Sequence, residues 1–348
     1  MMVVIRDIDR ELSEECAPLK IHVIGCGGGG CNSVNRLMDI GIRGVETVAI
    51  NTDKVHLQTI NSHRRLLIGA AMTRGLGAGG IPDVGEACME NALEPLNTIL
   101  KDSDLTFITV GMGGGTGTGV APIVAKQAKR HGSVVIALAT TPFDFERGRR
   151  MEAALWGIKK LNENADMLLL LDNNRLLNMA GNLPMNQGLA VMDQLISEII
   201  KGLVEALTLP SLVNLDYADL RTIIRHRGVS TILYGESIDP EGAVQDALSN
   251  PLLEVDYEGA TGALIHVTGG SNLSTRKVTK VLNGISEQLD PNAQVIFGAR
   301  VDPSLRDLIK VMAVITGIRE TPSREKFPRK SKTRLDDTLG EIACSCRG

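Results

Sequence analysis

Gly111-Met112-Gly113-Gly114-Gly115-Thr116-Gly117-Thr118-Gly119 is the stretch on which the fold turns. Six of these nine residues are glycine. Glycine loses more chain entropy on ordering than any other residue, and a tight turn needs only one or two. The run follows the apolar, β-branched segment 105–110 (LTFITV) and precedes the helix-compatible segment 119–131. A strand, a glycine loop and a helix in that order bring free backbone N–H groups and a helix N-terminus to one point, where an anion binds.

A second run, Gly25-Cys26-Gly27-Gly28-Gly29-Gly30-Cys31-Asn32, lies between the apolar segment 20–24 and a helix-compatible segment 30–40. Gly25-x-Gly27-x-x-Gly30 satisfies the dinucleotide-binding fingerprint in form, but alone it fits an unliganded turn as well. A third cluster occupies 75–85. The three clusters hold 16 of the chain's 37 glycines within 28 positions, so the excess over the usual ~7% is not spread as in a flexible linker. Two such loops on neighbouring strands point to a di- or triphosphate. The chain has no G-x-x-x-x-G-K-[S/T], so no P-loop lysine meets the phosphates. Backbone N–H groups, helix dipoles, Thr116 and a hydrated metal ion are left to balance the charge.

The clusters sit in a repeating pattern. Apolar runs at 20–24, 45–50, 66–68, 105–110, 133–139 and 167–171 alternate with helical segments at 30–40, 83–101, 119–131 and 147–163. This alternation predicts an α/β fold with a mostly parallel sheet covered on both faces, and ligands at the carboxyl ends of its strands. Residues 184–208 carry apolar side chains at helical spacing, opened by Pro184 and ended by Pro210. They predict a central helix of about 37 Å, buried between two layers. Runs at 229–235, 262–268, 293–299 and 310–316, with helices at 218–226, 240–249 and 273–289, predict an α+β domain. The expected division is an extension 1–18, a first domain 19–183, the central helix 184–210, a second domain 211–320 and a flexible tail 321–348.

Bulk properties exclude several classes. The net charge of −4 gives no general case for nucleic-acid binding. No 18-residue apolar stretch exists for a membrane span. The first 16 residues carry acids where a secretory signal has its apolar region. None of the six cysteines forms a C-x-x-C pair, so free thiols in a reducing cytoplasm are expected.

GGGTGTG at 113–119 resembles the signature loop of the tubulin/FtsZ family. GCGGGGCN at 25–32, AINTD at 49–53, TRGLGAGG at 73–80, TPFDFERGRRM at 141–151, NLDYADLRT at 214–222 and GATGALIHVTGG at 259–270 are similar to FtsZ in the same order and at the same spacing. The likeness runs from about residue 19 to 318, and GATGALIHV and LDPNAQVIFGA stand closer to archaeal than to bacterial members. It implies a Rossmann-type GTPase domain, a long central helix and a C-terminal α+β domain. It also implies a cytoplasmic GTPase that assembles head to tail at the division site, with GTP or GDP as ligand and Mg2+ carried by the nucleotide.

The resemblance assigns residues. The phosphates fall to Gly28, Gly29, Gly30, Cys31 and Asn32, and to Gly111, Gly113, Gly114, Gly115, Thr116 and Gly117. Asn51, Thr52 and Asp53 stand beside the nucleotide, and Gly77, Ala78, Gly79 and Gly80 face the γ-phosphate, with Ile81 where the family usually has Asn. Glu146 and Arg150 match ribose contacts, four apart on one helix face, where a solvated pair is the other reading. Asn173 matches a base-proximal residue, with Asp172 in place of proline. Asp193 matches the carboxylate that accepts from the guanine N1–H and amine, and Leu189 replaces a stacking Phe. Asn214, Asp216 and Asp219 match the catalytic group lent by the next subunit. Locally, Asp216 and Asp219 also read as the N-cap and N3 of a helix. Without the resemblance, Asp53 leaves open a ribose-holding acid of an NAD-dependent oxidoreductase. A tubulin-like polymer protein with little hydrolysis is a third reading.

The tail holds six basic residues and one acid in 324–334. It is a candidate contact for acidic lipids, or for division and membrane-anchor proteins. Cys344 and Cys346 do not form a prenylation box.

Overall fold

The computed structural model describes residues 19–318, apart from 181, 225–228, 251 and 253–255 and the side chains of 177–180 and 229. The extension 1–18, the tail 321–348 with its basic run, and Cys344 and Cys346 lie outside the described residues. The first sheet holds β1 (Ile21–Cys26), β2 (Val45–Asn51), β3 (Arg64–Leu67), β4 (Leu105–Gly111), β5 (Val134–Thr141) and β6 (Met167–Asp172). Its order is β3-β2-β1-β4-β5-β6, and every pairing is parallel. All six β1 residues are buried, as covered parallel strands require. The strand order reverses between β1 and β4. The crevice beyond their carboxyl ends is where such sheets take ligands, and both principal glycine runs border it.

The helices around this sheet are α1 (Gly27–Ile40), α2 (Lys54–Thr59), α3 (Ala70–Thr73), α4 (Pro82–Glu90), α5 (Leu93–Leu100), α6 (Gly115–Arg130), α7 (Gly148–Asn162) and α8 (Asn173–Ala180). Besides α2, α3 and α8, which the sequence pattern did not signal, and α6, which starts at Gly115 and not at 119, three further departures from the sequence reading stand out. First, α1 starts at Gly27, so Gly27–Gly30 form its first turn and are not a loop ahead of it. Second, the segment 83–101 is two helices. Pro95 has no N–H for the Asn91 carbonyl and its ring would strike that carbonyl, so the chain breaks at 91–92 and Pro95 sits in the first turn of α5. Third, Glu146 belongs to a separate 3-10 turn (144–146), and Arg147 at φ +69° interrupts the path before α7. Glu146 and Arg150 therefore do not share one helix.

α9 (Met185–Thr208) has 24 residues, about 36 Å. Its Met192, Ile196, Ile199 and Leu203 share one core with Val34 and Leu37 of α1 and with Leu264, Met312 and Val314 beyond it. α10 (Tyr217–Ile224) follows, then β7 (Val229–Ser237), α11 (Pro240–Ser249), β8 (Gly262–Gly269), α12 (Thr275–Ser286), β9 (Gln294–Val301) and β10 (Ile309–Ile318). The second sheet has the order β7-β10-β8-β9 and is mixed, since only β8 and β9 run parallel. Charged pairs bind α9 to it: Arg300 meets Glu205 at 2.6 Å and Lys310 meets Glu198 at 3.2 Å. No described helix is long and apolar enough to cross a membrane.

α1 reaches the sheet by close backbone approach. A Cβ at Gly30 would collide with the Thr109 carbonyl oxygen of β4, whereas one at Gly28 would meet nothing within 4 Å. Gly30→Ala is therefore expected to lower unfolding free energy by about 1–3 kcal/mol through overpacking. Gly28→Ala, which meets nothing, should leave the chemical-denaturation midpoint in place or raise it slightly, because alanine loses less chain entropy in a helix.

Candidate nucleotide-binding site

The N-termini of α1 and α6 meet at the β1/β4 crevice. Neither helix has a side-chain cap bond or an acid in its first turn. Their leading N–H groups are thus left for a ligand, in the arrangement that binds phosphate. The candidate glycines divide by what surrounds them. Gly28, Gly77, Gly79, Gly80 and Gly114 border open space. Gly29 packs against Gly111, Gly30 against Thr109, Gly115 against the backbone of Ile81, and Gly117 against the Cys26 and Gly111 carbonyls. The Gly113 N–H is taken by Thr118 Oγ1 at 2.9 Å. Cys31 turns its thiol into the core, towards the Gly25 and Ile50 carbonyls, and burial pushes that thiol up to about 12.

The third cluster forms a loop, 77–81, facing the same crevice. Gly77, Gly79 and Gly80 have φ of +89°, +61° and +74°, a region that side chains disfavour. Ala78 is buried beneath it, and Ile81 is exposed at the N-cap of α4. Thr52 and Thr116 hydroxyls lie 2.6 Å apart, tying the end of β2 to α6. Asn51 Oδ1 accepts from the N–H groups of Thr52 and Asp53. Asp53 accepts from the His56 N–H at 3.0 Å and caps α2. His56 then joins Asn51 Nδ2 and Asn32 Oδ1, at 3.2 and 3.0 Å. Sequence reasoning missed His56; its only signal was its place three residues after a capping Asp.

At the other end of the crevice, Asp193 of α9 accepts from Ser33 Oγ of α1 at 2.6 Å. Burial raises its carboxyl to about 6, against the opposing pulls of Ser33 and Arg36. It borders a cavity of about 250 Å³ with Asn32, Arg36, Ile60 and Ala190. Leu189 is 38% exposed on the same helix. Asn173, at the start of α8, is 9% exposed, and its Oδ1 is buried without a hydrogen-bond partner. A buried orphan acceptor is costly, and a ligand donor would satisfy it. Asp172, in place of proline, has its own work. Its Oδ1 accepts from Thr141 Oγ1 and from the N–H and Nδ2 of Asn174, while Asn174 Oδ1 accepts from the Asp144 N–H. Glu146 and Arg150 pair at 2.8 Å, and Glu146 also accepts from the Phe143 N–H.

Asn214, Asp216 and Asp219 are not brought to this crevice. Asp216 Oδ1 accepts from the Asp219 N–H at 2.8 Å, and Asp219 Oδ2 accepts from the Asp216 N–H at 3.1 Å. This reciprocal capping box opens α10. Asn214 Oδ1 accepts from the Ser211 N–H. Tyr217 donates its hydroxyl to the Asp104 carbonyl at 2.6 Å, at the amino end of β4. The glycine run begins at the carboxyl end of that strand, roughly 20 Å away for seven residues. Among the described residues, no three His, Cys, Asp or Glu side chains converge as a metal site.

Comparison with known proteins agrees with this geometry. Residues 20–181 match the family model "Tubulin/FtsZ family, GTPase domain", and 228–319 match "FtsZ family, C-terminal domain". The chain is 46% identical to the cell division protein FtsZ 2 of Halobacterium salinarum over 331 residues, covering 93% of this chain and 84% of that one. It is 46% identical to cell division protein FtsZ 2 of Methanocaldococcus jannaschii over 339 residues, covering 94% and 89%. Among solved structures, an empty FtsZ dimer of M. jannaschii superposes with a TM-score of 0.83 at 41% identity, over 90% of this chain and 93% of that one.

The raised Asp193 carboxyl has a pH consequence. If Asp193 takes the guanine N1–H and amine together, as the resemblance implies, it must be ionised to accept both, and this carboxyl is protonated below about 6 in the free protein. Guanine nucleotide affinity is therefore expected to weaken as pH falls through about 6, read by equilibrium binding at dilute protein. Asp193→Asn should bind more weakly at pH 7 and lose the pH dependence.

Proposed function

The chain belongs to the tubulin/FtsZ family, and we propose that it hydrolyses GTP at the joint between two copies stacked head to tail. It is a tubulin-like cytoskeletal GTPase. The observation that carries the stacked arrangement is the distance between its halves. The phosphate-binding helix ends lie at the carboxyl end of β4, and the Asp216–Asp219 pair lies by its amino end. A carboxylate roughly 20 Å away cannot orient water at a phosphate of its own subunit. In a stack, the amino end of one copy meets the crevice of the next.

Surface character supports that joint. Val55, Leu76 and Ile81 are exposed near the crevice, and Leu212 and Val213 are exposed just before Asp216. Apolar side chains at both ends suit a contact between copies. The M. jannaschii relative is itself described as a dimer.

In this reading the phosphates rest on the first turns of α1 and α6, and loop 77–81 faces the terminal phosphate. Asn173 and Asp193 hold the base, with Glu146 and Arg150 at the ribose. Asp193 takes two donors from guanine that adenine does not offer together. Asn214, Asp216 and Asp219 of the neighbouring copy orient the attacking water. Magnesium, when bound, neutralises phosphate charge, and phosphates and water would hold it, since no described side-chain cluster would. The relatives' name, cell division protein, suggests that the polymer acts in the division ring. A dinucleotide oxidoreductase fits less well, because it leaves the second glycine run, at the N-terminus of α6, without a role.

Asp216→Asn tests the assignment. Asparagine caps a helix as well as aspartate does, so α10 should persist, but no carboxylate remains for the water. GTP binding is expected to be retained, while phosphate release at assembling concentrations falls by about 10²–10⁴-fold. Wild-type turnover would overturn the assignment. Specific activity of the unmodified chain should rise with protein concentration in step with light scattering.

A further inference from the structure

Three helices beside the crevice interlock at glycines, α4 with α6 backbone to backbone and α7 against the Thr118 side chain of α6. A Cβ at Gly85 of α4 would strike the Gly115 carbonyl of α6, one at Gly119 of α6 would strike the Pro82 carbonyl, and one at Gly157 of α7 would strike Thr118. A charged clamp crosses this stack. Lys160 of α7 donates to both carboxylate oxygens of Glu86 on α4, each at 2.8 Å. Its ammonium also lies 4.1 Å from the centre of the Trp156 ring, which fixes it in a second direction.

The clamp is part-exposed, with side-chain exposures of 37% and 28%, so its contribution to stability is small. Its position is more telling. Ile81, the last residue of loop 77–81, is the N-cap of α4, and Pro82 is the first helical residue. No slack separates the loop from the helix. The first turn of α7 carries Arg150 and its pair with Glu146. One rigid helix thus holds Arg150 near its start and the loop-bearing helix near its end.

We propose that Lys160 is a positioning residue for GTP hydrolysis: by gripping Glu86 it fixes α4, and through α4 the loop 77–81 at the terminal phosphate. The proposal rests on the placement of that loop against the terminal phosphate. Displacing a group that lines a reacting phosphate costs rate more than ground-state binding.

The test uses the full chain with GTP and GDP. Lys160→Met is expected to lower kcat by about tenfold, with GDP affinity within about twofold of wild type. Lys160→Arg should restore the rate, since it too can donate twice to Glu86. Glu86→Gln should reproduce the loss, and the double variant should add little to it. Trp156 is the chain's one tryptophan, so emission should differ between the GTP and GDP complexes of wild type and converge in Lys160→Met. Wild-type kcat in Lys160→Met, a parallel loss of GTP and GDP affinity, or no rescue by Lys160→Arg overturns the proposal. Gly80→Ala separates the two failures, since it strains the loop at φ +74° without a clash. If that variant turns over normally, the loop reading and the Lys160 assignment both fall. If it is slowed while Lys160→Met is not, only the Lys160 assignment falls.

Discussion

The Thr109 carbonyl leaves no room for a side chain at Gly30, and most of the site depends on that contact. It lets α1 lie directly on the β1/β4 pair, and Thr109 Oγ1 donates back to the Gly30 carbonyl at 3.0 Å. With α6 seated as closely on the other strand end, two helix N-termini converge where one would supply too little charge to hold a polyphosphate without a lysine. The glycine excess is therefore mainly a packing requirement. Only a minority of the candidate glycines face open space. The entropy those residues lose is offset by burial of the strands on both faces.

The fold was largely readable from periodicity. Five of the six strands of the first sheet appeared as strong apolar runs, and β3 as a three-residue one. The central helix showed its buried face. What escaped was decided by single residues acting across distance. Pro95 split a helix because its missing N–H lies opposite Asn91. Arg147 placed Glu146 on a turn of its own, although the pair with Arg150 still formed. Period and propensity do not carry such information.

The site was readable in part. The glycine runs stood out by composition and order, and the family resemblance added Asp193 and Asn173; the structure places all of them around one crevice. The hydrogen-bond chain from Asn32 through His56 to Asn51 was invisible, because its members are far apart in sequence and each is unremarkable alone. Asp172 looked like a departure from the family pattern. It proves to tie β5, β6 and the 144–146 turn together through Asn174, which a proline could not do.

The strand's length between phosphate site and capping box has a temporal consequence. For copies stacked as proposed, each nucleotide begins its countdown only when the next subunit arrives. The subunit at one tip of a filament always lacks that neighbour, so its GTP stays intact however old the polymer behind it becomes. The filament thereby carries intact GTP at that one tip, whatever has happened to the nucleotides behind it. Its two ends differ chemically as well as in direction, without any part beyond this one chain.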